Sequence, residues 1–485
     1  MITNSHEESI FDIYGRPDQD IGLINDIVRS LEREYFPEFR RSGMSVAGFS
    51  PSPLTQTDHI ESFQPNWPAF NVLHTAGHDL DVCSIRRDFP ILSEKIDGKD
   101  LIWFDNAATT QKPQCVIDRI KYYYEHENSN VHRAAHTLAA RSTDAYEGAR
   151  ATTAAFLHAA TPDEIVFVRG TTEAINLVAH AYGLHTLCND DEILVSMLEH
   201  HANIVPWQMV CTRTGAKLRV MPVDESGQID MPAYRSLLNT NTKIVAFTHV
   251  SNALGTLTPA QEMVQMAHRV GAKVLIDGAQ AVAHERVDVQ NLDCDFYAFS
   301  GHKVFGPTGI GVLYTKGEVL NNMQPYQGGG SMIADVTFEK TSYKKPPHRF
   351  EAGTGNIADA IGLGAALAYV DRIGQERISA YEHALYLYAE EALRTINGLT
   401  FLGYGANRTS ILPFVCKNVS PEQIGAALNR EGIAVRTGHH CAQPILRRFG
   451  YESTVRVSLA LYNTYEEIDC LSEALRAVLS QNSCT

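Results

Sequence analysis

The chain has 485 residues, a formal net charge of −15, and 44% hydrophobic against 20% charged residues. That composition excludes a fibrous or wholly disordered protein. A negative balance with no clustered Lys and Arg excludes a nucleic-acid partner, which is held through basic contacts to phosphate. At roughly 100 to 200 residues per domain, the length predicts about two to four domains.

The first residues, "MITNSHEESIFDIYG", carry no basic segment followed by an apolar run, so no secretory signal is expected. Between Asp20 and Phe36, Ile21, Ile24, Ile27, Val28 and Leu31 recur at helical spacing and predict an amphipathic helix. From Ser42 to Gly77 the composition shifts to Ser, Pro, Thr, Asn and Gly, with Phe49, Phe63, Trp67 and Phe70 set among them. That stretch reads as a linker. Residues 1–82 form an N-terminal extension, either a disordered leader or a docking segment for another protein.

From Ile85 onward, short apolar runs alternate with helix-length segments. The runs are "EIVFV" from Glu164, "EILVS" from Glu192, "KIVAFTHV" from Lys243, "KVLID" from Lys273 and "DFYAFS" from Asp295. Buried strands alternating with helices predict an α/β fold with a mostly parallel sheet covered on both faces. The expected large domain is 100–354; after about Gly355 helices dominate, and 355–485 with 83–99 form a smaller α+β domain. The longest apolar stretch, "AIGLGAALAYV" from Ala360, is too short for a membrane span of about 20 residues and predicts a packed helix. Nine scattered cysteines with no C-x-x-C pair fit free thiols in a cytoplasmic setting. No GxGxxG or P-loop motif is present.

In an open α/β sheet, ligands bind beyond the C-terminal strand ends. "FVRGTTEAINLV" runs from a strand through Thr171 and Thr172 into a helix, giving free N–H groups and hydroxyls for a phosphate. A plain Thr helix cap reads the same way. "VLIDGAQAV" ends a strand with Asp277 and places Gln280 one turn on, where a helix-capping carboxylate is the simpler reading. "DFYAFSGHK" ends another strand with Ser300, followed by His302 and Lys303. A phosphate cradle, an acid and an amine at strand ends together meet the needs of pyridoxal 5'-phosphate: anchoring, a partner for its ring nitrogen, and an amine for its aldehyde.

"LEHHANIVPW" adds His200 and His201, with a ring to stack on the cofactor and a group titrating near neutrality. Joined with His439, His440 and Cys441 these could form a zinc site, but the paired-ligand spacings are missing and no metal is expected. "RTGHHCAQP" sets Cys441 behind two histidines and Arg436, cationic surroundings that would favour a thiolate. "VRVSLALYN" supplies Arg456, either a carboxylate clamp or a surface ion pair.

The chain from about Ile85 resembles the group II, SufS-like cysteine desulfurases through "DNAATTQKP", "NVHRAAHTLAAR", "RGTTEAINLVA", "EHHANIVPWQM", "THVSNALGT", "DGAQAV", "DCDFYAFSGHK", "FEAGT" and "RTGHHCAQP". The resemblance implies the fold type I, aspartate-aminotransferase-like architecture of pyridoxal-phosphate enzymes. It makes Lys303 the Schiff-base lysine, His200 the stacking acid/base, Asp277 the partner of the ring nitrogen and Gln280 that of the phenolic oxygen. Thr171, Thr172, Ser300 and His302 would hold the phosphate, and Thr354 would reach the neighbouring subunit's cofactor, which implies a homodimer. Arg456 would bind the carboxylate of L-cysteine, with Asn252 and His132 lining the pocket. Cys441 would take the sulfur as a persulfide, leaving alanine.

"TGNIADAIGLGAA" and the N-terminal extension are similar to the desulfurases carried as cargo in encapsulin nanocompartments, which implies docking of residues 1–82 to a shell protein and storage of the sulfur inside. Three alternatives stay open. One is a housekeeping desulfurase feeding a sulfur acceptor protein for iron–sulfur assembly; another is a selenocysteine lyase. The third is a non-catalytic interaction protein on the same scaffold.

Overall fold

The computed structural model describes residues 80–132 and 135–482. The helix predicted between Asp20 and Phe36 and the aromatic-dotted linker lie outside the described residues.

Seven strands make the central sheet: β1 (Ile165–Val168), β2 (Glu192–Ser196), β3 (Lys217–Met221), β4 (Thr242–Thr248), β5 (Lys273–Asp277), β6 (Phe296–Ser300) and β7 (Gly311–Thr315). Their spatial order is β1-β7-β6-β5-β4-β2-β3. The pairings among β2 to β6 are parallel, and β7 runs antiparallel to both β6 and β1. The mostly parallel sheet expected from the alternating pattern is present, and five of its strands coincide with the predicted apolar runs to within two residues.

Strand periodicity explains why those runs are apolar throughout. Successive side chains point to opposite faces, and in β4 Val245 and Phe247 enter one core cluster while Ile244 and Ala246 enter the other. β5 divides the same way, Val274 and Ile276 against Leu275. With helices on both sides, neither face can be polar.

Helices α1 (Gln114–His126), α2 (Thr137–Phe156) and α3 (Thr171–Val178) flank the sheet on its N-terminal side of the chain; α4 (Val205–Thr214) and α5 (Ala260–Arg269) follow. The apolar stretch from Ala360 lies in α6 (Ile357–Ile373), a packed helix as expected, seated against α1 and α2. Its close approach to α2 depends on Gly364, where a Cβ would stand 2.9 Å from that of Ala149.

Beyond α7 (Gln375–Arg394), a four-stranded antiparallel sheet is built from β8 (Leu399–Phe401), β9 (Ile411–Cys416), β10 (Arg436–Gly438) and β11 (Thr454–Ser458), in the order β8-β9-β11-β10. Helices α8 (Pro421–Arg430) and α9 (Tyr465–Asn482) pack beside it over a third apolar cluster. The short segment Ile102–Trp103 pairs in parallel with Ile433–Ala434. Among the described residues, no helix is long and apolar enough to cross a membrane.

Candidate active site

The C-terminal ends of β1, β2, β4, β5 and β6 open onto one cavity of about 550 Å³. The chain enters it at Thr171 after β1, His200 after β2, Thr248 at the end of β4, Asp277 at the end of β5, and Ser300 and Lys303 after β6. Parallel strands bring Thr171 and Ser300, 129 positions apart in sequence, to one rim, which is why separate weak motifs converge.

The cradle at β1 is formed by α3 and β6. Ser300 Oγ accepts from the Thr171 N–H at 2.8 Å and lies 2.8 Å from Thr171 Oγ1. Gly170 precedes them, and a Cβ there would stand 3.2 Å from Ser300 Oγ. The first turn of α3 directs N–H groups without helical acceptors at this point, and Thr172 adds a hydroxyl to the lining. His302 completes the rim, and burial pushes its imidazole down to about 4. Its carbonyl is pinned by Thr110 N–H at 3.0 Å and Thr109 Oγ1 at 2.9 Å, which fixes the turn that carries Lys303.

Lys303 is partly buried on the cavity lining. Burial pushes its ammonium down to about 8 against the opposing pull of Asp277. Burial likewise raises the Asp277 carboxyl, against the Ala279 N–H that it accepts at 3.0 Å and the nearby Lys303. His200 Nδ1 accepts from Ala202 N–H at 3.0 Å, so the ring proton sits on Nε2. Burial first, then Lys303, hold this imidazole down to about 4, and it is neutral near pH 7. Gln280 donates to the Ala107 carbonyl at 2.6 Å and lines the same wall. An acid, an amine that gives up its proton more readily than a free lysine, a neutral imidazole and a cluster of hydroxyl and N–H donors together fit pyridoxal phosphate, the cofactor of pyridoxal-dependent chemistry at such sites.

The opposite wall comes from the small antiparallel sheet. Arg456, in β11, is almost fully buried; its Nη1 donates to the Asn252 carbonyl at 2.9 Å and its Nη2 to Asp105 at 3.1 Å. Asn252 turns its amide to the His440 carbonyl at 2.7 Å, tying the Arg456 wall to the cysteine loop. Cys441 lies in that loop on the cavity lining, and both it and His440 hold left-handed backbone angles, φ +54° and +52°. The loop is secured by His201 N–H to the Cys441 carbonyl at 2.8 Å and by Cys441 N–H to His439 Nδ1 at 3.0 Å. One expectation changes here. His440 is buried, bonded through Nε2 to Thr454 Oγ1 at 2.7 Å, and held well below neutrality by burial and then Arg456, so it supplies no cationic partner to the thiol.

Eleven of the thirteen predicted site residues therefore share one cavity. Thr354 and His132 do not line it. Thr354 is exposed and accepts from Asn130 Nδ2 at 3.3 Å beside a separate hollow formed with Tyr146, Phe167 and Tyr326. His132 bonds through Nε2 to Glu147 at 2.7 Å and meets the His348 ring edge-on at 4.7 Å. The ligating atoms of these three residues lie within 4.8 Å of one another, but Glu147 is already bonded by the buried Arg150 at 2.9 Å. Asp105, Thr248 and Arg436 also line the cavity. Asp105 stands within the quoted "DNAATTQKP", where its sequence neighbours give no sign of the two arginines it meets.

The class-V aminotransferase family matches residues 102–471. A cysteine desulfurase of Synechococcus elongatus is 63% identical over 412 residues, 85% of this chain and 66% of that protein. A probable cysteine desulfurase of Mycolicibacterium paratuberculosis is 57% identical over 425 residues, 88% of this chain and 61% of that protein. The chain thus spans just under two thirds of the length of these relatives. The crystal structure of a cysteine desulfurase from Escherichia coli matches with a TM-score of 0.77 at 39% identity, covering 83% of this chain and 99% of that one. With a family match over more than half its length and a solved cysteine desulfurase at 39% identity covered almost end to end, the chain belongs to the class-V aminotransferases, in the group of the cysteine desulfurases.

Proposed function

We propose that the protein is a pyridoxal-phosphate-dependent L-cysteine desulfurase that releases L-alanine and keeps the sulfur as a persulfide on Cys441. The observation that carries this reading is a cysteine on the lining of the same cavity as Lys303, Asp277 and Arg456. Pyridoxal phosphate, when bound, withdraws electrons from the substrate Cα and so labilises its bonds. Arg456 and the Asn252 wall receive the substrate carboxylate and aim its sulfur towards the cysteine loop. Lys303, with its charge suppressed by burial, is the base suited to moving the Cα proton near pH 8. His200 carries a proton on Nε2 and relays it. The Cys441 thiolate attacks the substrate sulfur: an S–S bond forms, the C–S bond breaks, and a proton goes to the substrate Cβ to give alanine.

Cys441→Ser tests the assignment. The holoenzyme should still shift its visible absorption on adding L-cysteine, while persulfide is absent by mass spectrometry and alanine does not accumulate through repeated turnovers. Sustained alanine release would sink the role of Cys441.

We propose further that the protein belongs to the SufS-like group II branch and works as a cytoplasmic homodimer. The exposed position of Thr354, away from this chain's own cavity, supports a contact with a second subunit. The composition of residues 1–82 supports their docking to an encapsulin shell protein, with the persulfide sulfur stored in the compartment rather than handed to a soluble acceptor protein.

A further inference from the structure

Arg436 and Arg456 are direct partners across the β10–β11 pair. Like charges placed opposite one another on adjacent strands repel. Asp105 relieves that repulsion for both: its Oδ1 lies 3.1 Å from Arg456 Nη2 and its Oδ2 3.6 Å from Arg436 Nη1. The position is built rather than incidental. The Asp105 carbonyl accepts from Ala108 N–H at 3.1 Å, and its backbone bridges to Ser458 at the end of β11, so the carboxylate is fixed against the strand that carries Arg456. Arg456 lines the cavity and is nearly fully buried, and its Nε, also buried, has no hydrogen-bond partner.

The charges at this end of the cavity are two guanidiniums and one carboxylate, while Asp277 and Lys303 stand at the other end. One positive charge is left in excess. We propose that Asp105 sets this end of the cavity to accept a single carboxylate, and thereby discriminates against amino acids whose side chain carries a second anionic group. A monoanionic substrate carboxylate meets that one excess charge and completes neutrality. A second anionic group would have only Arg436 to meet, and Asp105 already stands beside it.

The inference rests on the desulfurase reading for the amino acid that enters, but the charge argument does not need turnover. It is tested on the holoenzyme by calorimetric titration with propionate, a monoanion, and succinate, a dianion of similar build. Because Coulomb energy scales with the product of the charges, Asp105→Asn should tighten propionate on the order of tenfold and succinate on the order of a hundredfold. The ratio of the two affinities then moves about tenfold towards succinate. Arg436→Gln, a change at a half-exposed side chain, should move the ratio the opposite way, and it decides the matter if Asp105→Asn fails to fold. An unchanged ratio in the folded variants overturns the proposal. Alanine release from L-cysteine, scored on the same wild-type preparation, separates the two readings: turnover without anion discrimination sinks only the role of Asp105, and discrimination without turnover sinks only the desulfurase assignment.

Discussion

Lys303 works against the stability of its own fold. An unfolded chain holds the lysine proton up to pH 10.5, whereas burial lets the folded chain hold it only to about 8. Between those values the unfolded state binds more protons, so stability rises with pH across the window; the penalty is present in full below pH 8 and gone above 10.5. The gap corresponds to about 3 kcal/mol at most. In cofactor-free protein, Lys303→Met should therefore raise the unfolding free energy at pH 7 by up to that amount, and the advantage should fade by pH 10, as read by urea denaturation at the two pH values. An unchanged midpoint at pH 7 would show that Lys303 is not held in a hostile environment. At this scale the sequence was informative about type and uninformative about partners. Lys303, Asp277 and Cys441 stand out because each follows a strand or a marked motif. Asp105 and the Asn252 bond to the cysteine loop join residues more than 180 positions apart, and no local pattern encodes such a meeting.

Strands buried on both faces are written as unbroken apolar runs, and for that reason β1, β2, β4, β5 and β6 were legible. β3 was not, because "KLRVM" lies at the sheet edge with three of its five residues exposed, and an edge strand needs no continuous apolar run. β7 was hidden behind the glycine-rich turn that precedes it, and it is the one strand of this sheet that runs antiparallel to both its neighbours. Its first residue explains the glycine. A Cβ on Gly311 would stand 2.5 Å from Gly170 Cα and 2.6 Å from the Phe299 carbonyl oxygen, both backbone atoms that cannot swing aside. Gly170 leads directly into Thr171 and the phosphate cradle. Gly311→Ala should therefore cost about 1 to 3 kcal/mol through forced backbone shifts. It should also weaken cofactor retention, measured as loss of the visible band on dialysis. Loss of thermal stability with undiminished retention would mean that the cradle does not depend on this close approach.

At the scale of the whole chain, every described residue that lines the cavity lies between Trp103 and Arg456, and the family match spans 102–471. The described residues begin at Leu80, whose side chain packs on the main core. Catalysis and the proposed shell docking thus fall on separate stretches of the chain, and separate stretches can be removed one at a time. Deleting residues 1–79 should leave kcat and KM for L-cysteine within about twofold, since a tether raises local concentration without touching the reaction. Co-purification with the shell protein should vanish in the same variant. Retained packaging would move the docking surface onto the enzyme body. The hairpin Ile333–Val336 and Thr341–Tyr343 would then be the place to look, because it presents Val336, a fully exposed Phe338 and Tyr343 to solvent. Lost activity together with lost packaging would mean instead that the first 79 residues support the fold, a result that a fall in melting temperature of the truncated enzyme would confirm.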